Sequence, residues 1–295
     1  ATTEIYTLSL HDALPISRRL NSGNRFERSQ NRDVKRVVFL SVEGNVTEPQ
    51  YFGYVKAFQK ELGIKSVVEL HVLQRQDTSS SPFKVLELLE NYLEIRNNSN
   101  FSSEIDKLDF KNYTKEFIQN YLDDKGSLPQ KEVRKFEALL REQQLDLAYL
   151  YFLNKFKGSD NGAHDVFGLV LDRDVANHSP QSLSSLFQQC DEKGYQCFMT
   201  TPRFEFWLLL HVSDVATEYA DELSKMLDPS DKSVNIHLLE KTGTNKKIHQ
   251  KTFEQYFLPN IDNAIERASS FCTQRDDLLN QLGSNLGELF SILRD

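Results

Sequence analysis

A chain of 295 residues, 39% of them hydrophobic, is long enough for one large domain or two modest ones, and it falls in neither the fibrous nor the disordered class. Its net charge of −8 argues against sequence-blind coating of nucleic acid, which needs many Lys and Arg against phosphates, but leaves room for a local basic groove. Three irregularly spaced cysteines, Cys190, Cys197 and Cys272, speak against a disulfide framework or a structural zinc site and fit a reducing compartment.

In chain order, residues 4–16 look like a translated sequencing-adapter peptide, so residues 1–17 are expected to be adapter-derived or a frayed tail and are set aside. Residues 18–35 form a basic lead-in containing Arg18, Arg19, Arg25, Arg28, Arg32 and Lys35. The apolar run Val37–Val42 reads as a buried strand that ends in Glu43 and the turn Gly44-Asn45. A helix is expected from about Glu48 to Leu62, with Phe52, Val55 and Phe58 near helical spacing. Val67–Leu73 reads as a second strand, and Ser81-Pro82 opens another helix buried through Val85, Leu86, Leu88 and Leu89. From about 97 to 165 the composition turns charged and helix-forming, which reads as a helical insertion. Within it the run Tyr149–Leu153 suits a short strand or a buried helical turn equally, and Gly158–Gly162 marks a loop. Val166–Asp172 is a further strand, Ser179-Pro180 opens a helix ending near Gly194, and Tyr195–Thr200 returns as a strand. The remainder is mostly helical, broken at Pro229, Gly243 and Pro259, and its longest apolar stretch, Phe206–Leu210, is far too short to span a bilayer. A soluble cytoplasmic protein is expected.

Acidic residues at the carboxyl ends of such strands lie where open α/β sheets place their chemistry. Glu43 and Glu48 share one strand-to-helix turn, although a carboxylate at Glu48 also suits the helix dipole without any ligand. Asp172 and Asp174 have the period-2 spacing that turns both to one side of an extended segment, with Arg173 away from them. Two like charges so close invite a cation; the bland alternative has Asp174 holding a turn and Asp172 paired to a Lys. Glu205, among Phe204, Phe206 and Trp207, is costly to bury unpaired and is expected to meet a metal or a basic side chain. His211 lies six positions on, off the same helical face, and reads as a satisfied core or rim histidine. Lys246 and Lys247 could set an ammonium against a scissile phosphate or be surface charge. Together the acidic residues point to a Mg²⁺ or Mn²⁺ site for phosphodiester chemistry.

Ser41-Val42-Glu43-Gly44 with Thr47–Phe52, Leu171-Asp172-Arg173-Asp174, and Pro202-x-Phe204-Glu205-x-Trp207–His211 resemble the RloB-like family, whose catalytic domain is of Toprim type. The resemblance covers the chain from about residue 34; it departs at Thr200-Thr201, where the family pattern has Ser-Asn. It implies an α/β, Toprim-like, mostly parallel sheet flanked by helices over 36–295, with the helical insertion at 97–165 and a helical C-terminal part. It also implies a metal-dependent nuclease of prokaryotic anti-phage defence, acting on RNA, first of all tRNA, or on DNA. By likeness Glu43 would be general base or metal ligand, Asp172 and Asp174 metal ligands, and Glu48 and Glu205 candidates for a second metal; of the two lysines read above, Lys247 is the one expected to be catalytic. An ATPase partner and a homo-oligomer fit such effectors; the chain carries no P-loop of its own. The alternative is a non-catalytic Toprim-like sensor acting through a partner.

Overall fold

The computed structural model describes residues 36–65, 68–73, 81–97, 112–142, 164–244 and 247–295. The expected tail, the basic lead-in 18–35, the run Tyr149–Leu153, the loop Gly158–Gly162 and Lys246 lie outside the described residues. The chain divides into two compact units, Ala1–Pro82 with His164–Asp295, and Phe83–Ala163.

The first unit is built on a five-stranded sheet of order β2-β1-β3-β4-β5. Its strands are β1 (Arg36–Val42), β2 (Val68–Leu73), β3 (Val166–Asp172), β4 (Gln196–Thr201) and β5 (Gly283–Ser284). All neighbours pair in parallel except β4 with β5. Parallel strands bury both faces, which is why β1 and β3 are near-continuous apolar runs. Alternate residues Val38, Leu40 and Val42 enter the main core, while Phe39 on the other face stacks on Phe167 with ring centroids 5.4 Å apart.

Helix α1 (Thr47–Ala57) packs on β2. It stops one turn before the expected Leu62: Phe58 leaves helical geometry, and Leu62 reaches the core through a turn closed at Gly63, where φ is 71°. Helix α5 (Pro180–Lys193) begins and ends where its sequence says it should. Ser179 Oγ accepts the Ser182 N–H at 3.1 Å, Pro180 opens the first turn, and Gly194 takes the left-handed cap at φ 71°. Helix α6 (Phe204–Val212) is buried nearly all round and packs against α7 (Ser233–Thr242) and α8 (Ile261–Ala268), while α9 (Leu286–Arg294) packs on β4.

His211 is the satisfied core histidine expected. Its Nδ1 donates to Trp207 O at 2.9 Å, so Nε2 accepts from Tyr51 Oη at 3.0 Å, and Tyr51 Oη in turn accepts from Trp207 Nε1 at 3.1 Å. Burial holds the imidazole neutral, pulling its pKa down to about 3.

The C-terminal part is mostly helical, but it also returns β5 to the sheet, which the sequence reading did not anticipate. Asn285 extends that edge by accepting the Met199 N–H at 2.6 Å and donating to Cys197 O at 3.0 Å. The second unit is helical where described, with α2 (Pro82–Asn97), α3 (Lys115–Asp124) and α4 (Gln130–Glu142), and so takes in the expected insertion together with α2. Tyr113, Phe117 and Tyr121 surround Phe136 at centroid distances of 4.7, 5.3 and 5.1 Å. Among the described residues, no helix is long and apolar enough to cross a membrane.

Candidate functional site

From β1 the sheet grows to β2 on one side and through β3 to β4 on the other, so the carboxyl ends of β1 and β3 flank the topological switch point where such sheets open a crevice. Glu43 follows β1, its N–H donating to Val170 O at 3.0 Å, and Asp172 ends β3. The Asp172 N–H donates to Glu43 Oε2 at 3.0 Å. The two strand ends therefore converge, and Glu43 is 5% exposed.

Glu48 enters from the first turn of α1 and folds back so that its Oε1 accepts the Gly44 N–H at 3.0 Å. Glycine leaves room for that carboxylate: a Cβ on residue 44 would fall 1.8 Å from Glu48 Oε2, so any other residue would make the Glu48 side chain shift. From the other side, the Phe204 N–H at the start of α6 donates to Asp172 Oδ1 at 2.8 Å, setting a helix N-terminus against that carboxylate. Glu205, next in that helix, lies near enough for its charge to act on both Glu48 and Asp172.

Burial first, and neighbouring negative charge second, raises the pKa of Glu43, Glu48 and Asp172. Burial pushes Glu48 up to about 7, with the charges of Glu205 and Glu43 adding to it. Burial likewise lifts Asp172 well above the carboxylate range, reinforced by Glu48, Glu43 and Glu205. Glu43 is raised by burial, opposed by the Asp172 N–H and His178, with a smaller push from Asp174. Among the described residues, no Lys or Arg forms an ion pair with Glu43, Glu48 or Asp172. Negative charge is concentrated here with little to balance it.

Asp174 departs from the period-2 expectation. Strand β3 ends at Asp172, and Asp174 adopts φ 31°, so alternation no longer governs where its side chain goes. It holds a turn: Asn177 Nδ2 donates to its Oδ2 at 2.7 Å, and its carbonyl accepts the N–H groups of Asn177 and His178. Among the described residues Arg173 forms no salt bridge, although the charge of Asp174 acts on it. Buried, it donates Nε to Leu279 O at 2.5 Å and Nη1 to His178 O at 2.6 Å. Lys247 is exposed on a loop tied to α1 through the Ile248 N–H and Gln50 Oε1 at 2.8 Å; among the described residues its ammonium pairs with no carboxylate.

Sequence reasoning missed His178. Its Nε2 lies 3.2 Å from Glu43 Oε1, and the side chain is 11% exposed. A single His ahead of Ser-Pro reads as loop; the partner that gives it meaning is 135 residues away.

The family profile described as RloB-like protein matches residues 38–293. The chain belongs to the RloB-like family. No curated protein and no solved structure matches it. The three motifs that carry the family resemblance are those that build this crevice, and the α/β, mostly parallel sheet is the Toprim-like fold expected of the family.

A divalent cation is the group the sequence leads one to expect here. Among the described residues, no three His, Cys, Asp or Glu side chains are disposed as a ready metal cage. Mg²⁺ does not need one, since it keeps several waters and is commonly held by one or two carboxylates together with substrate phosphates. The donors here are all oxygens, their charge is uncompensated by Lys or Arg at Glu43, Glu48 and Asp172, and Glu48 is the strongest charge acting on Asp172. The donor set fits a hard cation.

Proposed function

We propose that this RloB-like protein is a metal-dependent endonuclease that hydrolyses phosphodiester bonds of nucleic acid in prokaryotic anti-phage defence, with RNA, and tRNA first, as substrate ahead of DNA. The observation that carries the reading is the convergence of Glu43 and Asp172, joined through the 3.0 Å hydrogen bond from the Asp172 N–H to Glu43 Oε2, with Glu48 and Glu205 close enough for their charges to be felt.

When bound, Mg²⁺ or Mn²⁺ supplies Lewis-acid stabilisation of charge on the phosphoryl and leaving oxygens. Asp172 and Glu48 would hold it, with Glu205 and Asp174 as further candidate ligands. Glu43, raised by burial, is suited to take a proton from the attacking water or to join the ligands. Lys247, on a loop anchored to the helix that carries Glu48, is a cation that could steady a phosphate or the leaving oxygen. The substrate preference and an ATPase partner rest on the family resemblance, the cytoplasmic setting on the three free cysteines, and self-assembly on the size of such an effector.

Purified protein with Mn²⁺, assayed on tRNA and on duplex DNA beside Asp172→Ala, tests the reading. Cleavage that disappears in the variant supports it. No cleavage under any metal, nucleotide or partner condition favours a non-catalytic module acting through a partner.

A further inference from the structure

We propose that His178 is a positioning residue for Glu43: its ring N–H fixes the carboxylate in the orientation in which Glu43 serves a divalent cation. The inference rests on the metal-dependent reading of the site.

His178 is itself held by the residues that follow Asp172. Its backbone N–H donates to Asp174 O at 3.0 Å, and its carbonyl accepts Arg173 Nη1 at 2.6 Å. Arg173 is fixed in turn by Leu279 O at 2.5 Å. The Asp172-Arg173-Asp174 turn is thus closed on His178, and the start of α5 at Ser179 and Pro180 takes the chain away directly afterwards. That leaves the ring within hydrogen-bond range of Glu43 Oε1, with Nε2 3.2 Å away, while the Asp172 N–H occupies Oε2 at 3.0 Å.

With a donor on each oxygen, the carboxylate cannot rotate, yet each oxygen keeps a second lone pair for a ligand. Among the described residues, His178 is the only side chain that donates to Glu43, Glu48 or Asp172; their other donors are backbone N–H groups, those of Asp172, Gly44 and Phe204 and that of Glu48 itself. Hydrogen-bond partners that orient ligating carboxylates commonly change metal affinity or activity by about 10–100-fold when removed. A histidine that merely seals the rim of the crevice would change folding stability and leave cation affinity alone.

The test is a Mn²⁺ titration followed by electron paramagnetic resonance on the whole chain without nucleic acid, for wild type, His178→Leu and His178→Gln, with thermal melts in EDTA alongside. Leu removes the donor; Gln places an amide N–H near the position of Nε2. Expected is a Mn²⁺ Kd raised about 10–100-fold in the Leu variant and largely restored in the Gln variant, both melting near wild type. If the Leu variant does not fold, His178→Asn, whose shorter amide falls short of Glu43, takes its place: a Kd raised about tenfold or more with the Gln variant near wild type upholds the inference, and wild-type affinity in both overturns it. Wild-type affinity in a folded Leu variant, or equal losses in both, also overturns it. Wild-type Mn²⁺ binding without cleavage of any nucleic acid, with the Leu variant weakened and the Gln variant restored, upholds this role and sinks the nuclease reading. No Mn²⁺ binding by the wild type overturns this role, and no binding even with nucleic acid present overturns both.

Discussion

Replacing Glu48 with Gln should make the metal-free protein more stable at pH 8, even as it removes a carboxylate the site needs. Burial and the charges of Glu205 and Glu43 lift the Glu48 carboxyl from its ordinary 4.5 to about 7. At about 1.4 kcal/mol per pH unit, that rise corresponds to about 3 kcal/mol. The sign follows from proton binding: between pH 4.5 and 7 the folded chain holds a proton at Glu48 that the unfolded chain has released, so stability is full below 4.5 and falls as pH climbs through 7. Gln is neutral throughout and can still accept the Gly44 N–H. The variant should therefore gain up to about 3 kcal/mol at pH 8, or about 6–12 °C in melting midpoint, and the gap should close by about pH 4.5. Thermal melts in EDTA at pH 4.5, 6 and 8 measure it. Saturating Mn²⁺ should raise the wild-type midpoint at pH 8 and the variant's much less. A Glu48→Gln protein that melts at or below wild type at pH 8, or a gap that does not change with pH, would refute the idea that uncompensated buried charge strains this crevice.

Gly44→Ala should displace the Glu48 carboxylate, because the new Cβ falls 1.8 Å from Oε2; Mn²⁺ binding weakened about tenfold or more is expected by titration calorimetry. Tyr51→Phe, far from the cation donors in function but buried with them in the same core, orphans Trp207 Nε1 and His211 Nε2. Urea unfolding should show a loss of about 1–3 kcal/mol for each, with Mn²⁺ affinity unchanged. Arg173→Lys replaces a two-pronged guanidinium by a point charge, so one of the carbonyls of Leu279 and His178 loses its donor. A loss of about 1–3 kcal/mol and weaker Mn²⁺ binding through a loosened His178 should appear together in the same preparations.

What the sequence disclosed follows from how local each signal is. Val37–Val42 and Val166–Leu171 announce buried parallel strands because both their faces are covered, and Ser179-Pro180 and Gly194 mark the limits of α5 through cap chemistry contained in a few residues. Glu43, Glu48, Asp172 and Glu205 could be named because strand ends and helix starts bear carboxylates there, and the fold gathers all four. Signals that depend on distant partners stayed hidden. His178 acquires its meaning only beside Glu43, Arg173 only beside Leu279, and the two residues of β5 have no periodicity to read until Asn285 is placed on the β4 edge. The period-2 argument for Asp174 failed because it assumed an extended backbone one turn too far: φ 31° ends the alternation.

Crystals soaked in Mn²⁺ and measured at the manganese absorption edge address the convergence of these carboxylates most directly. The anomalous peak should stand within ligand distance, about 2–2.6 Å, of carboxylate oxygens from among Glu43, Glu48 and Asp172. Manganese at full occupancy elsewhere on the chain, with none in the crevice between β1 and β3, would contradict the account.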